Sequence, residues 1–250
     1  MYDIVTCIGP YDSSLVPEFI ENIKKHIINY NNIYIITTNE IVQQYLSSIG
    51  DVIFVNEVIF PFQKRDVLMS NITPGRSGWY LQQLLKIYAP LVLPGLLDDY
   101  LIIDSDVYFH KSVDFFAGGK MNFNVGTEYH IPYFEHMNKL HPSLKKIYTP
   151  SGITHLMPMK RKIVVSFLKF IEEYNNDVFW KLFLNNISEA HYGYDVNNSS
   201  GASEYEMLFT FTQQHFPEEY VISPLEWRNT SKIDNDYTGI YEACHYHMRS

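Results

Sequence analysis

The sequence predicts a single α/β domain in which a mostly parallel sheet is flanked by helices and followed by a mixed C-terminal half. Over the first hundred residues, short apolar runs alternate with segments of helical periodicity, which is the pattern of βαβ units. The length of 250 residues, with 46% hydrophobic and 19% charged residues, fits one domain with a substantial core.

Three strands and two helices are predicted in the first sixty residues from the spacing of the apolar positions. The strands cover residues 3–8, 33–36 and 52–55, and the helices cover residues 16–28 and 39–46. The other predicted elements are helices over 77–88, 161–174, 178–187 and 203–215, short strands over 99–103, 123–127, 151–157, 221–222 and 242–247, and an irregular rim over 128–148.

Composition excludes several classes of protein. A net charge of −9 without a basic run argues against a role dominated by contacts to a nucleic-acid backbone. The two cysteines, Cys7 and Cys244, are too few for a disulfide framework or a cysteine zinc site. No apolar run approaches the roughly 18 residues that span a membrane, and the chain begins with a predicted strand instead of a signal sequence. We therefore expect a cytoplasmic protein without a transmembrane segment.

The stretch Asp104-Ser105-Asp106 directly follows the apolar strand over 99–103. Ligands of open α/β sheets bind at the carboxyl ends of such strands, and oxygen ligands suit Mg²⁺ or Mn²⁺ bridging to phosphate. The alternative is an ordinary polar turn after a strand, since Asp and Ser are common turn residues. On the first interpretation, the two carboxylates of the motif hold a metal ion that also binds the phosphate of a ligand.

Other nucleotide-binding patterns are missing. The turn at Gly9-Pro10 after the first strand lacks the dinucleotide glycine fingerprint, and no Gly-Lys-Ser/Thr loop is present. A haloacid-dehalogenase phosphatase places its Asp-x-Asp after the first strand, whereas here the motif begins at Asp104. A sugar nucleotidyltransferase would have a Gly-rich basic loop after that strand, which this chain does not have.

One face of the helix over 77–88 is polar but carries a tryptophan. Trp79, Gln83 and Lys86 lie on this face, and Arg76 directly precedes the helix. A purely solvated face seldom needs a tryptophan, so we expect these side chains to face a ligand cleft. The alternative is that Trp79 covers the loop beside it.

The C-terminal half contains further candidate groups. His245 and His247 share one face if the last segment is a strand, and two such histidines can bind a metal, although exposed tail histidines are common. Ser203 and Glu206 have the spacing of a capping box. This gives Glu206 a structural role and leaves Glu204, in the first helical turn, freer to act on a substrate.

These residues make the chain similar to the GT-A fold glycosyltransferases, including glycogenin-like and related bacterial or viral sugar transferases. The similarity lies in Asp104-Ser105-Asp106 after its apolar strand and in the segment before it, beginning at Trp79. It implies a Rossmann-like sheet, a nucleotide-sugar-binding half over 1–110 and an acceptor-binding half over 111–250.

The resemblance implies a transferase that moves a sugar from a nucleotide-diphosphate donor, a UDP-sugar by family analogy, to a hydroxyl of a glycan, lipid or protein. It implies Mn²⁺ or Mg²⁺ on the donor diphosphate, held by Asp106, by Asp104 (metal or ribose) and by His245 or His247. An inverting reaction is favoured, with Glu204 as the general base and Glu206 as the alternative.

The resemblance also implies a set of donor contacts. The expected donor-binding residues are Thr6, Ile8 and Tyr11 for the base, Arg76 and Lys86 for the diphosphate, and Trp79, Gln83, Asp104, Ser105 and Gly152. In the family, a strand containing Asn-Ser-Gly lies near the donor sugar, but Pro150 stands here where the asparagine would be. The alternatives are a retaining transferase of the same fold and a non-catalytic relative that binds sugars or a partner protein.

Overall fold

The computed structural model describes residues 1–45, 52–70, 72, 74–188 and 200–244. In this part of the chain the strands are β1 (Tyr2–Ile8), β2 (Tyr30–Thr37), β3 (Val52–Asn56), β4 (Asp99–Ile103), β5 (Val107–Phe109), β6 (Met121–Phe123), β7 (Leu156–Lys160), β8 (Tyr220–Ile222), β9 (Trp227–Thr230) and β10 (Tyr241–Cys244). The helices are α1 (Val16–His26), α2 (Asn39–Tyr45), α3 (Lys64–Leu68), α4 (Ser77–Val92), α5 (Ile131–Leu140), α6 (Arg161–Asn175), α7 (Phe179–Asn185) and α8 (Glu204–His215).

The main sheet has five strands in the order β3-β2-β1-β4-β7. The first four are parallel, and β7 runs antiparallel to β4, with Leu156 opposite Ile103. Two smaller sheets have the orders β5-β10-β9 and β6-β8. The predicted fold class, a mostly parallel sheet flanked by helices with a mixed C-terminal half, is confirmed.

Alternate residues of β4 enter two different hydrophobic clusters. Tyr100 and Ile102 pack with apolar residues of α4, α6 and α8, whereas Leu101 and Ile103 pack with apolar residues of α1. Because side chains alternate along a strand, the next position, Asp104, continues on the side of the sheet that α4 covers. Burial of each large apolar side chain in these layers contributes roughly 1.5–3 kcal/mol to stability.

Helix α4 is longer than predicted. The sequence analysis ended it at Tyr88 because of Pro90, yet the helix continues to Val92. A proline in the last turn removes one N–H donor, and the following turn still forms, with the N–H of Leu93 donating to the carbonyl of Ala89 at 2.9 Å. The guanidinium of Arg161 also donates to the Pro90 carbonyl.

Two predictions for the C-terminal half were wrong. Part of the expected irregular rim is helix α5, whose buried residues Tyr133, His136, Met137 and Leu140 have helical spacing. The strand predicted over 151–157 begins only at Leu156 (β7), because the preceding residue adopts a left-handed backbone conformation with φ of 63°.

Among the described helices, none has the length and apolar character to cross a membrane. The cytoplasmic location stays a prediction.

Candidate active site

Asp104 lies at the carboxyl end of β4, where three side chains meet its carboxylate. Oδ1 accepts a hydrogen bond from the Tyr205 hydroxyl at 3.0 Å and contacts the Nζ of Lys86. Oδ2 lies 3.2 Å from Nδ1 of His155, and the Asp104 N–H donates to the His155 carbonyl at 2.8 Å. One oxygen is therefore directed to buried donors and the other to the imidazole.

Asp104, Asp106 and His155 together form a group that can hold a metal ion, since one ligand atom from each lies within 4.8 Å of the other two. Nε2 of His155 lies 3.0 Å from Oδ1 of Asn229, so Asn229 orients the ring as outer-shell partners do for metal-binding histidines, and Nδ1 faces the Asp104 carboxylate. Two carboxylates and one imidazole fit a divalent cation and leave positions for further oxygen ligands.

The two carboxylates of the motif have opposite pKa shifts. Burial raises the pKa of Asp104, but the charge of Lys86 and the hydrogen bond with His155 lower it to well below its usual value. Burial and the negative charge of Asp104 raise the pKa of Asp106 to about 6. Two neighbouring acids whose charges disfavour each other are stabilised when a cation binds between them.

Lys86 is the buried cation of the site, with only 1% of its side chain exposed. Its Nζ donates to Oε1 of Glu204 at 2.7 Å and to the Tyr205 hydroxyl at 3.3 Å, besides contacting Asp104. Burial lowers the pKa of Lys86, but the charges of Asp104 and Glu204 raise it well above its usual value. Lys86 therefore stays charged and joins α4, the end of β4 and the start of α8.

Gln83, one turn before Lys86 on α4, holds the backbone at the start of α8. Its Oε1 accepts from the N–H of Glu204 at 3.0 Å, and its Nε2 donates to the carbonyl of Ala202 at 3.2 Å. The predicted polar face of the helix thus lies against the segment that carries Glu204. This contact therefore fixes the start of α8, which carries Glu204, close to Asp104.

Glu204 and Glu206 have different surroundings although they lie two residues apart. The buried Glu204 pairs with Lys86, and burial raises its pKa even though the Lys86 charge lowers it. Glu206 accepts from Lys146 at 2.6 Å and from the Ser151 hydroxyl at 2.9 Å. The predicted N-cap is present, because Ser203 Oγ accepts from the N–H of Glu206 at 3.3 Å.

Gly152 is packed directly against α8. A Cβ at this position would lie 2.4 Å from Cβ of Phe209, so only glycine allows the close approach. Its N–H donates to Glu206 Oε2 at 3.1 Å. These contacts account for the glycine as a packing residue, and a role near the donor sugar stays a prediction.

The donor residues expected near the N-terminus are spread over different environments. Thr6 and Ile8 are fully or almost fully buried in β1, so their side chains do not line an open surface. Tyr11 is 82% exposed. Arg76 lies over the Trp79 ring, 5.8 Å from its centroid.

Trp79 packs against Tyr133, with the two ring centroids 6.4 Å apart. It lies near the N-terminal end of α4, on the helix face that carries Lys86. Ser105 lines an open cleft beside Asp106. The structure thus brings Gln83, Lys86 and Glu204 together at Asp104, whereas Thr6 and Ile8 lie within the sheet.

His155 is a metal-ligand candidate that the sequence analysis missed, having assigned it to a strand. It precedes β7 and meets Asp104 because β7 pairs antiparallel with β4. The two residues are 51 positions apart in the chain, and no local pattern reveals such a contact. The predicted ligands His245 and His247 lie outside the described residues.

Tyr205 was also missed as a site residue, because its spacing on α8 indicated only a buried face. Its ring lies under the Lys86 ammonium, with Nζ 4.7 Å from the ring centroid. Burial and the Asp104 charge raise the pKa of Tyr205 well above its usual value. The phenol is therefore a neutral donor to Asp104.

The chain belongs to a family of unknown function (DUF6492), whose model matches residues 15–214. A comparison with curated protein sequences finds no significant match. The family assignment by itself carries no activity, so the site has to be interpreted from its own residues.

Solved structures that align with this chain include glycosyltransferases, the class that the sequence resembles. Mouse xyloside xylosyltransferase 1 in its apo form has 11% identity and a TM-score of 0.48, covering 92% of this chain and 87% of that one. The Q189E active-site mutant of LgtC has 11% identity and a TM-score of 0.45. The galactosyltransferase LgtC with donor and acceptor sugar analogs has 13% identity and a TM-score of 0.41.

Both LgtC alignments cover 74% of this chain and 69% of the other. All three TM-scores are below 0.5. The function proposed below therefore rests on the residues of this chain.

Replacing Lys86 with Met is expected to destabilise the protein by about 3–5 kcal/mol, because Asp104 and Glu204 lose the cation that they share while remaining buried. Urea unfolding measured by circular dichroism tests this. Lys162, whose side chain is 57% exposed in its pair with Glu219, offers the matched control, and Lys162→Met should cost less than about 1 kcal/mol. Equal losses in the two variants would show that the buried pair has no special role.

Replacing Tyr205 with Phe is expected to weaken Mn²⁺ binding about 10–100-fold, the usual effect of losing an outer-shell hydrogen bond. Calorimetric titration with Mn²⁺ measures this. Tyr88→Phe is the control, because its buried hydroxyl accepts from the Trp180 N–H and not from the site. Unchanged Mn²⁺ affinity in Tyr205→Phe would mean that the phenol does not position Asp104 for a metal.

Proposed function

We propose that the protein is a divalent-metal-dependent glycosyltransferase that moves a sugar from a nucleotide-diphosphate donor to a hydroxyl acceptor. The observation that carries the proposal is the group formed by Asp104, Asp106 and His155 at the carboxyl end of β4. This is the position at which an open parallel sheet binds its ligand. The Asp-x-Asp resemblance of the sequence points to the same chemistry.

Asp104, Asp106 and His155 would hold Mn²⁺ or Mg²⁺, with His245 or His247 as a further predicted ligand. When bound, the cation neutralises charge on the leaving diphosphate. The Lys86 ammonium is fixed behind Asp104 and keeps that carboxylate ionised. Its positive charge lies at the same end of β4, and preorganised charge of this kind would stabilise a diphosphate bound there.

The donor is proposed to be a UDP-sugar that lies along the carboxyl edge of the sheet, within the half formed by residues 1–110. We retain the expected donor contacts as part of the proposal, with Thr6 and Ile8 contributing through their backbone because their side chains are buried. The full set of proposed contacts is Thr6, Ile8, Tyr11, Arg76, Trp79, Gln83, Lys86, Asp104, Ser105 and Gly152.

Glu204 is proposed as the general base of an inverting reaction. A general base works best when its pKa approaches the working pH, and the burial that raises the pKa of Glu204 acts in this direction. Glu204 lies in the first turn of α8, and its partner Lys86 also contacts Asp104 of the metal group. Glu206 is the alternative base, and a retaining transferase would need neither.

The acceptor is proposed to be a hydroxyl of a glycan, lipid or protein that binds to the half formed by residues 111–250. Aromatic rings are available on this side, where Tyr129 is 69% exposed and contacts Phe134 edge-on at 4.8 Å. A non-catalytic sugar-binding relative would share these features, and only transfer activity separates the two functions.

Replacing Asp106 with Asn should abolish metal-dependent donor binding while preserving the fold, because the amide keeps the shape of the side chain and loses the charge. We expect UDP affinity in the presence of Mn²⁺ to fall by more than the roughly 10–100-fold of an outer-shell change. Calorimetry with and without Mn²⁺ measures this, and the exposed Asp98→Asn is the control. Undiminished affinity would exclude Asp106 as a ligand.

Replacing Glu204 with Gln should leave donor binding intact and lower sugar transfer by about 10²-fold, the scale of a lost general base. Glu206→Gln is the matched variant, since each glutamate pairs with one lysine. Nucleotide release from UDP-sugars with Mn²⁺ and acceptor measures transfer. A selective loss in Glu206→Gln would assign the base there, and full activity in both variants would favour a retaining mechanism.

A further inference from the structure

A patch of exposed apolar and basic side chains follows β3, the edge strand of the main sheet. It is formed by a short 3₁₀ helix, Glu57–Ile59, and by α3 with the residue after it. Val58 is 61% exposed and Met69 is 85% exposed, and clusters of exposed apolar residues mark sites of interaction with proteins or membranes. We call this surface the α3 patch, and its members are Val58, Ile59, Lys64, Arg65, Leu68 and Met69.

The backbone of the α3 patch is held against the core. The rings of Phe62 and Tyr88 meet edge-on with their centroids 5.1 Å apart, which anchors the start of α3 on α4. The side-chain amide of Gln63 donates to the carbonyls of Val58 at 3.3 Å and Phe60 at 3.1 Å, which joins the 3₁₀ helix to α3. The exposed side chains of the patch therefore project from a backbone that the core keeps in place.

The exposed charges of the patch are both basic. Over residues 57–70, a stretch that the structure describes completely, Lys64 and Arg65 are the exposed charged residues, and the acids Glu57 and Asp66 are only partly exposed. The Arg65 side chain is 82% exposed against 29% for Asp66, whose carboxylate lies 4.0 Å from the Arg65 Nε. On a chain with a net charge of −9, this surface is one that a negatively charged partner can approach.

The residue types of the patch suit a lipid surface better than a protein partner. Protein interfaces concentrate their binding energy in Trp, Tyr and Arg side chains that fill pockets, but residues 57–70 contain neither Trp nor Tyr, and Phe60 and Phe62 are buried. Aliphatic side chains enter the boundary between lipid headgroups and acyl chains without a matching pocket. The long side chains of Lys64 and Arg65 can reach anionic headgroups at the same time.

We propose that the α3 patch docks the protein on a membrane surface that contains anionic lipids. The four apolar members enter the lipid boundary, and the two basic members contact the headgroups. The binding goes beyond the proposed function and does not depend on it.

The position of the patch relates the membrane to the metal group. The 3₁₀ helix directly follows the carboxyl end of β3, and β4 lies three strands away in the same parallel part of the sheet, a lateral distance of roughly 14 Å at about 4.8 Å per strand. The carboxyl ends of parallel strands meet at one edge of the sheet. Docking therefore brings lipid headgroups close to the edge that carries Asp104.

Sedimentation of the full chain with vesicles, in the absence of nucleotide and Mn²⁺, tests the proposal. The probes are vesicles of phosphatidylcholine alone and vesicles that contain phosphatidylcholine and phosphatidylserine in equal amounts. One double variant, Val58→Ser with Met69→Ser, removes apolar side chains from the patch. A second double variant, Lys64→Gln with Arg65→Gln, removes its charge.

Matched control variants are available elsewhere on the surface. Val221→Ser with Ile222→Ser changes an exposed apolar pair in β8, and Lys24→Gln with Lys25→Gln changes an exposed basic pair in α1. Circular dichroism confirms that each variant is folded. Analytical ultracentrifugation measures the oligomeric state of the wild type and of each variant.

We expect the wild type to bind anionic vesicles and to bind phosphatidylcholine vesicles more weakly. The serine variant of the patch should lose roughly tenfold or more in affinity for anionic vesicles, because two apolar side chains no longer enter the lipid. The glutamine variant should lose roughly tenfold or more on anionic vesicles, the scale of two basic side chains near such a surface, and match the wild type on phosphatidylcholine. Both controls should bind like the wild type.

The membrane assignment would be overturned by a wild type that does not bind anionic vesicles, by wild-type affinity in both patch variants, or by equal losses in the controls. A wild-type dimer that the serine variant of the patch no longer forms would overturn it too, since a second copy would then cover the surface. The proposed function fails separately, because a protein that binds vesicles but no diphosphate in the presence of Mn²⁺ would overturn that function alone.

Discussion

The ammonium of Lys86, buried between Asp104 and Glu204, is the interaction on which the rest of the site depends. A buried charge is tolerated only when it is paired and hydrogen-bonded, so α4, the end of β4 and the start of α8 have to remain in contact. Tyr205 adds a second donor to Asp104 at 3.0 Å. The carboxylate that faces His155 is therefore oriented by the protein before any cation binds.

Asp106 lies where two different environments meet. Behind the motif is the polar but buried group around Lys86, and in front of it is an open cleft lined by both apolar and polar side chains. A cation held between Asp104, Asp106 and His155 would connect these environments. Because Asp106 lines the cleft, the metal group is reached from its open side.

Much of the fold was predictable because it is encoded in consecutive residues. The alternation of strands and helices up to β4 follows from apolar spacing, and the end of that strand marked Asp104 and Asp106 as candidate site residues. Helix α5 was missed even though Tyr133, His136 and Met137 have helical spacing, because the surrounding Tyr, His and Pro composition is typical of loops. Ser203 was recognised as a cap, but the carboxylate of Glu206 binds Ser151 and Lys146 instead of completing the capping box.

Local patterns in the chain are sufficient for the fold class, for the motif at the end of β4 and for the polar face of α4 that carries Gln83 and Lys86. Only the folded chain decides which groups meet there. His155 reaches Asp104 because β7 pairs antiparallel with β4, and Tyr205 reaches it because α8 packs against α4. The reason is physical: the periodicity of an element depends on neighbouring residues, whereas strand pairing and helix docking depend on how distant apolar surfaces are buried together.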